Sequence, residues 1–381
     1  VTAGRTAVIV GGGIGGLAAA VALCRRGWRV EVCEQAAQFT EIGAGLSLWP
    51  NALRALAVLG LADRVRELGA VEAGGGVRDR AGRWLARTDN VELEQRFGWP
   101  LVVVHRADLV RVLVEALPRK TLRPATTITG VHDEGDAVVV EHHHGSLRAE
   151  VAVGADGLHS TVRRLGRPDA RPPRYAGYTA WRMITSRLPA PLTDGASNWG
   201  RGERFGYTSM PGNRAYCFAT ATVPAGGVSP DGEWAELHRR FGRWAGPIPT
   251  LLAAVAEDDV LRHDIYDLPP LSGYVSGRVA LLGDAAHAMT PNLGQGACQA
   301  LEDAVVLASC LDRAPDIASG LAGYDRRRRS RTQDVVRRSA RLGAVGQWSW
   351  PPAVKARDLA ARLTPNSATL RSMTPILGWK P

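Results

Sequence analysis

Near the start of the chain the spacing of apolar residues changes twice. Thr6-Ala7-Val8-Ile9-Val10 is a short β-run that ends in a glycine cluster, and an alanine-rich stretch suited to a helix follows to about Arg26. Gly27 stands where a helix C′ residue belongs. Arg29-Val30-Glu31-Val32-Cys33-Glu34 then alternates as a second strand. Strand, turn, helix and strand in this order open a dinucleotide-binding fold.

Further on, residues 101–104 read as a strand and 107–117 as an amphipathic helix. Residues 127–132, 137–142 and 147–153 read as a β-meander. From 175 to 223 the strands lengthen, carry aromatics and are separated by Pro/Gly turns, which predicts a second, sheet-containing domain. After Gly277 the α/β pattern returns, with a strand at 278–282 and a helix at 296–311. The expected fold is therefore α/β. A discontinuous nucleotide domain (1–70, 101–170, 275–345) holds an inserted β-rich domain (71–100, 171–274), and a helical segment (346–381) follows.

Composition narrows the functional classes. The 381 residues suffice for roughly two to three cores at ~150 residues each, and 45% hydrophobic with 22% charged residues is ordinary for a globular chain. The most apolar stretch, residues 7–23, is broken by five glycines and has neither the basic flank nor the cleavage site of a signal peptide, so no membrane span is expected and the cytoplasm is the expected location. Five scattered cysteines give no disulfide framework and no CxxC metal spacing. Lysine occurs only at 120, 355 and 380, so arginine supplies most of the positive charge behind the net +10. The run Asp325-Arg326-Arg327-Arg328-Arg329-Ser330-Arg331 has no accompanying nucleic-acid motif and reads as a solvated helix face, so no nucleic-acid partner is expected. His142-His143-His144 sits before Gly145-Ser146, and alternation in a hairpin would point neighbouring rings to opposite faces, which speaks against a metal site.

Gly11-Gly12-Gly13-Ile14-Gly15-Gly16 satisfies GxGxxG. Gly11 permits the tight turn, Gly13 lets a pyrophosphate approach the backbone, and Gly16 allows close packing of helix and strand. The helix start suits an anion, and Glu34, at the end of the next strand, can accept hydrogen bonds from both ribose hydroxyls of an adenosine. These features indicate an adenine dinucleotide without choosing between FAD and NAD.

Further segments make that choice: Gly43-Ala44-Gly45-Leu46-Ser47-Leu48-Trp49-Pro50-Asn51-Ala52; His105-Arg106; Gly154-Ala155-Asp156-Gly157; and Gly283-Asp284-Ala285-Ala286-His287 with Pro291 and Gly294-Gln295-Gly296. With Tyr178-Thr179-Ala180-Trp181-Arg182 and the arginine run they cover nearly the whole chain. In these motifs the sequence resembles the single-component FAD-dependent aromatic hydroxylases typified by para-hydroxybenzoate hydroxylase, and within them the salicylate-hydroxylase and zeaxanthin-epoxidase-like branch.

The resemblance implies a Rossmann-like FAD-binding domain of that type with an inserted β-rich substrate domain and C-terminal helices. It implies non-covalent FAD, NADPH or NADH as co-substrate, and O2. A flavin C4a-hydroperoxide would hydroxylate or epoxidise a small aromatic, polyketide-like or alkene substrate. The cofactor set is then Gly11, Gly13, Ile14, Gly15, Gly16, Glu34, Gly43, Ala44, Gly45, Arg106, Ile128, Asp156, Gly157, Asp284, Gly294, Gln295, Gly296 and Ala297. Asp284, at a strand end, would hold ribityl hydroxyls, while His287 reads as a buried, hydrogen-bonded structural histidine. Free N–H groups after Gly294 would stabilise negative charge on the reduced flavin. Asp156-Gly157 would serve both FAD and the nicotinamide, which without a second GxGxxG would bind transiently in a surface groove.

Arg204, Tyr216, Ser47 and Pro291 are the candidate catalytic residues. If the strands around Pro211-Gly212-Asn213 pair as a hairpin, Arg204 and Tyr216 share a face; Arg204 could hold a carboxylate or phenolate and Tyr216 a ring oxygen. The alternative is a surface Arg and a core Tyr. Two rival functions stand beside this one. A flavin-dependent halogenase needs a WxWxIP motif, of which Trp348-Ser349-Trp350-Pro351 is a faint echo, and a lysine at its centre. A non-catalytic flavin redox sensor would need no polar substrate cavity.

Overall fold

The first sheet is built from runs that are buried on both faces. In this computed structural model, which describes residues 5–39, 44–72 and 74–381, Thr6–Val10 pairs in parallel with Arg29–Cys33 on one side and with Val151–Gly154 on the other. The six-stranded sheet runs in the order Val275–Ser276, Val279–Leu281, Val151–Gly154, Thr6–Val10, Arg29–Cys33, Leu122–Arg123. Continuous apolar strands such as Val151-Ala152-Val153 fit this placement, because helices cover both faces of a parallel sheet. One of those helices, Ile14–Cys24, is almost entirely buried, and it lies against Gly296–Arg313.

The meander is shorter than its sequence implies. Ile128–Asp133, Val138–His142 and Gly145–Ala149 form it, and the chain then leaves at Glu150 to enter the parallel sheet. Glu150 makes the break: its amide donates to Thr6 O at 3.1 Å, and its carboxylate accepts from the Thr6 amide at 3.1 Å. His143 and His144 lie in the turn and not in a strand, so they do not alternate; their ring centroids are 3.9 Å apart. No group of side chains among the described residues could hold a metal ion.

The β-rich part is a seven-stranded sheet in the order Leu261–Asp267, Arg174–Ile184, Arg214–Ala221, Glu203–Met210, Ala196–Trp199, Gly74–Asp79, Trp84–Asp89. Alternation divides its two faces. Phe205, Tyr207, Cys217 and Ala219 pack with Leu237, Phe241 and Trp244 on and beside the helix Glu233–Phe241. Arg204, Gly206, Thr208, Tyr216, Phe218 and Thr220 take the opposite face, since Arg204 pairs with Thr220 and Thr208 with Tyr216. A small three-stranded sheet, Gly45–Leu48 with Val102–His105 and Ala70–Val71, faces them.

The arginine run is a solvated face only in part: Arg326, Arg327 and Ser330 are exposed, whereas Arg328 is not. The run lies in the long helix Ile317–Gly346, and Arg328 shares a buried stripe with Tyr324 and Thr332 at four-residue spacing, all three with 0% exposure. Two carboxylates on the neighbouring helix, described below, hold Arg328 there. Helices Pro351–Leu363 and Asn366–Leu377 end the chain, and no helix among the described residues is long and apolar enough to cross a membrane.

Candidate active site

A cavity of about 1260 Å³ lies between the parallel sheet and the polar face of the seven-stranded sheet. At one end stands the glycine turn. The Gly11 amide donates to Cys33 O at 2.8 Å, which draws the turn onto the second strand. A Cβ on Gly16 would come 2.0 Å from Gly11 O, so only glycine lets the helix start this close to the turn. No side chain caps the start of helix Ile14–Cys24, which leaves its first N–H groups for an anion. Glu34 accepts from the Gly12 amide (2.7 Å) through one carboxylate oxygen and from the Ala36 amide (2.8 Å) through the other. Each oxygen keeps acceptor capacity beyond these bonds, and Glu34 lines the cavity.

Gly11, Gly13, Ile14, Gly15, Glu34 and Ile128 line this end of the cavity, beside Asp156 and Gly157. The Asp156 carboxylate is engaged within its own loop, accepting from Ser160 Oγ and from the amides of Thr161 and Val162. It shapes the turn before helix Thr161–Gly166. Two expected residues do not reach the cavity. Gly16 acts by packing, and Ala44 is buried with its carbonyl accepting from the Arg106 amide at 3.0 Å. Gly43 lies outside the described residues.

At the cavity's middle Gly45, Ser47, Arg106, Asp284, Pro291 and the segment Gly294 to Ala297 converge. The strand before Asp284 ends at Leu281, so Asp284 opens the one-turn helix Asp284–His287 instead of ending a strand. Helix Arg106–Glu115 begins at Arg106 and is capped by His105, whose Nδ1 accepts from the Ala107 amide. Burial lowers the Arg106 pKa, and the facing Asp284 carboxylate opposes that shift. Gly294 adopts φ 59°, and the 18-residue helix Gly296–Arg313 then starts without a side-chain cap. Gln295 Nε2 is buried there with no hydrogen-bond partner among the described residues.

This loop rests on a buried charge cluster. Glu302 and Asp303, both at 0% exposure, share Arg328, whose Nε donates to Asp303 at 2.6 Å while Nη1 donates to Glu302. From Glu302 the network passes through Asn51 Nδ2 (2.7 Å) to Gln295 Oε1 (3.0 Å). Asp303 accepts from the Gly283 amide (2.9 Å) and pairs with His287 Nε2 (2.5 Å), so His287 is the structural histidine its sequence context implies. Despite burial, the charges of His287 and Arg328 hold the Asp303 pKa down at about 2.

The polar face of the seven-stranded sheet closes the cavity. Tyr216 lies against Gly45, and burial raises its pKa. Arg204 is 5% exposed; Nε donates to Thr220 Oγ1 at 3.3 Å, and the guanidinium lies 5.5 Å from the Tyr178 ring centroid. Burial lowers its pKa, the hydrogen-bonded Tyr178 hydroxyl opposes that shift, the nearby Arg357 adds to it, and among the described residues no carboxylate pairs with it. Sequence reasoning missed several residues that also line this space. Asn292 lies beside a chemistry-bearing motif and Arg182 ends the Tyr178–Arg182 motif without having been assigned a role, whereas Glu72 carries no local signal. No lysine lines the cavity, and Trp348 and Trp350 are exposed at 41% and 68%, which removes the basis for the halogenase alternative.

Comparison with known proteins agrees with this architecture. A family model described as an FAD binding domain matches residues 5–339. The aurachin C monooxygenase/isomerase of Stigmatella aurantiaca is 38% identical over 364 residues, covering 94% of each chain. The FAD-dependent urate hydroxylase of Klebsiella pneumoniae is 36% identical over 337 residues, 87% of each. The crystal structure of Klebsiella pneumoniae HpxO with FAD and uric acid superposes with TM-score 0.91 at 32% identity, covering 98% of this chain and 96% of that one. The chain belongs to the FAD-dependent, single-component aromatic hydroxylase family of flavoprotein monooxygenases.

Proposed function

We propose that this monooxygenase inserts one oxygen atom into a small, oxygenated aromatic substrate held between Arg204, Tyr216, Ser47 and Pro291. FAD, when bound, supplies the redox chemistry: it takes a hydride from NADH or NADPH and activates O2. The residues present fit it. Glu34 would offer acceptors to the ribose of the adenosine, the uncapped start of helix Ile14–Cys24 would meet the pyrophosphate, and Asp284 would hold the ribityl hydroxyls. The amides opening helix Gly296–Arg313, with Gln295 Nε2, would stabilise negative charge on the reduced ring.

The observation that carries the substrate reading is Arg204, a buried cation with no carboxylate beside it among the described residues, lining the same cavity as the flavin segments. A desolvated guanidinium is costly until an anionic or strongly accepting oxygen meets it. Tyr216 can donate to or accept from a ring oxygen, and Phe218 adds an apolar wall. The urate ligand of the Klebsiella relative and the aromatic substrates named for other relatives support this class. The test is a panel of phenols, hydroxybenzoates and oxygenated heterocycles, followed by NAD(P)H consumption and by incorporation of one atom from labelled O2. Stimulated NAD(P)H oxidation with a labelled product is expected; no stimulation by any member would overturn the substrate class.

Two cofactor variants test the flavin end. Asp284→Ala is expected to raise the FAD dissociation constant about ten- to a hundredfold, the loss of one charge-assisted hydrogen bond of ~1.5–3 kcal/mol. Arg106→Ala should also weaken FAD, because the guanidinium lines the cavity opposite Asp284 while His105 does the capping. Fluorescence titration of the apoprotein reads both. Unchanged FAD affinity with reduced thermal stability would make Arg106 a helix residue only.

A further inference from the structure

Glu72 is a carboxylate in a place that normally excludes one. It is 8% exposed, follows the short strand Ala70–Val71, and lines the cavity beside Asn90, Gly75 and Thr208. No cation pairs with it among the described residues. Thr208 Oγ1 donates to one carboxylate oxygen, and the Ser209 amide also donates to the group. Gly195 leaves the room it occupies, since a Cβ there would come 1.9 Å from Glu72 Oε1.

Thr208 and Arg204 lie on the same face of one strand, four residues apart, so about 13 Å of backbone separates the two anchors at ~3.3 Å per residue. Phe218, opposite Gly206, stands between them. The face thus carries a buried cation towards one end, an aromatic wall in its middle and a buried carboxyl group towards the other. Neither charge neutralises the other, and both cost free energy while unoccupied.

We propose that Glu72 is a second polar anchor of the substrate cavity, accepting a hydrogen bond from an N–H or O–H group on the part of the substrate remote from the oxygen that Arg204 receives. This rests on the reading of the cavity given above and narrows it: the preferred substrate carries an acceptor oxygen and a distal donor on one aromatic framework. Burial, with a smaller contribution from the Asp194 carboxylate, raises the Glu72 pKa to about 7, while the Thr208 and Ser209 donors pull it down. Asp194 is itself held 3.8 Å from Arg87. The ionised, accepting form of Glu72 therefore grows as pH rises through neutrality, and donor recognition strengthens with it.

The test uses FAD-loaded protein and matched ligand pairs, 4-hydroxybenzoate against 4-methoxybenzoate and uric acid against tetramethyluric acid, with Kd read from the change in bound-flavin absorbance. In the wild type the donor-bearing member of a pair is expected to bind about tenfold tighter at pH 8, with a smaller preference at pH 6. Glu72→Leu should abolish the preference and its pH dependence, and Glu72→Gln should keep part of the preference without the pH dependence. Thr208→Val, which leaves the carboxyl group in place with a weaker set of donors, should shift the midpoint of the pH dependence upward. Equal binding of both members by the wild type, an unchanged preference in Glu72→Leu, or no binding by any of the four compounds would overturn the proposal. Product formation from any other aromatic substrate would leave the monooxygenase reading standing when this one falls.

Discussion

Arg328→Met is expected to destabilise the protein by about 3–5 kcal/mol, because it removes the fully buried cation from between two carboxylates that no water can reach. Arg328, Glu302 and Asp303 are all fully buried, and among the described residues Arg328 alone joins the two acids. Glu302 would keep the partly exposed Arg331, but Asp303 would be left with His287 and the Gly283 amide. Since these contacts brace both Gly283 and Gln295, FAD should also bind more weakly, in proportion to how far the loops relax. A denaturant midpoint measured with and without FAD reads both effects. In the double variant Arg328→Met/Asp303→Asn the loss should be smaller than in Arg328→Met alone, since one of the two buried negative charges is gone. A midpoint unchanged by Arg328→Met would mean that the cluster contributes no net stability.

The same cluster fixes the sign of the acid response. The Asp303 pKa is depressed to about 2, so its contribution to stability is complete above the ordinary carboxylate range near 4 and is lost as pH falls through about 2. Acid unfolding of Asp303→Asn should therefore lack that component.

The nucleotide end of the site was legible because its requirements are local. A turn that tolerates no Cβ, a helix start without a cap and an acid at the end of the next strand must lie within one strand–helix–strand unit, so Gly11, Gly16 and Glu34 declare themselves in order. The hairpin that sets Arg204 and Tyr216 on one face was legible for a similar reason, since strand period and a short turn determine register. What escaped depends on contacts between distant segments. Arg328 sits in a run of arginines that looks solvent-facing, and only helix Gly296–Arg313, with its adjacent acids, makes one of them a core residue. The third meander segment was overextended because nothing in its apolar pattern marks Glu150 as the point where pairing switches from Val138 to Ala7. Glu72 is invisible alone: it becomes a cavity residue through Thr208, a hydrogen-bond partner 136 positions away.

Arg204→Ala should raise the substrate KM by about ten- to a hundredfold, the equivalent of one charge-assisted hydrogen bond at ~1.5–3 kcal/mol. The structure supplies the reason for placing the effect on substrate and not on cofactor. Arg204 reaches Thr220 and the Tyr178 ring on the face of the β-rich sheet, and it is packed beneath Gly346, where a Cβ would come 3.0 Å from Nη1. None of these contacts belongs to the segments that would hold FAD, so the FAD dissociation constant should change little. Lysine is a poor replacement, because its single ammonium cannot present the planar pair of donors that matches a carboxylate. Arg204→Met sharpens the test: it keeps much of the side-chain volume while removing a buried cation that Tyr178 and Thr220 hydrogen-bond but that no carboxylate neutralises among the described residues, and the ligand-free protein should become more stable even as substrate binding weakens. A residue serving the fold alone would lose stability in both variants and leave KM unchanged for whatever protein remained folded. Opposite signs for stability and substrate affinity in Arg204→Met are thus the signature of a charge kept buried for a ligand.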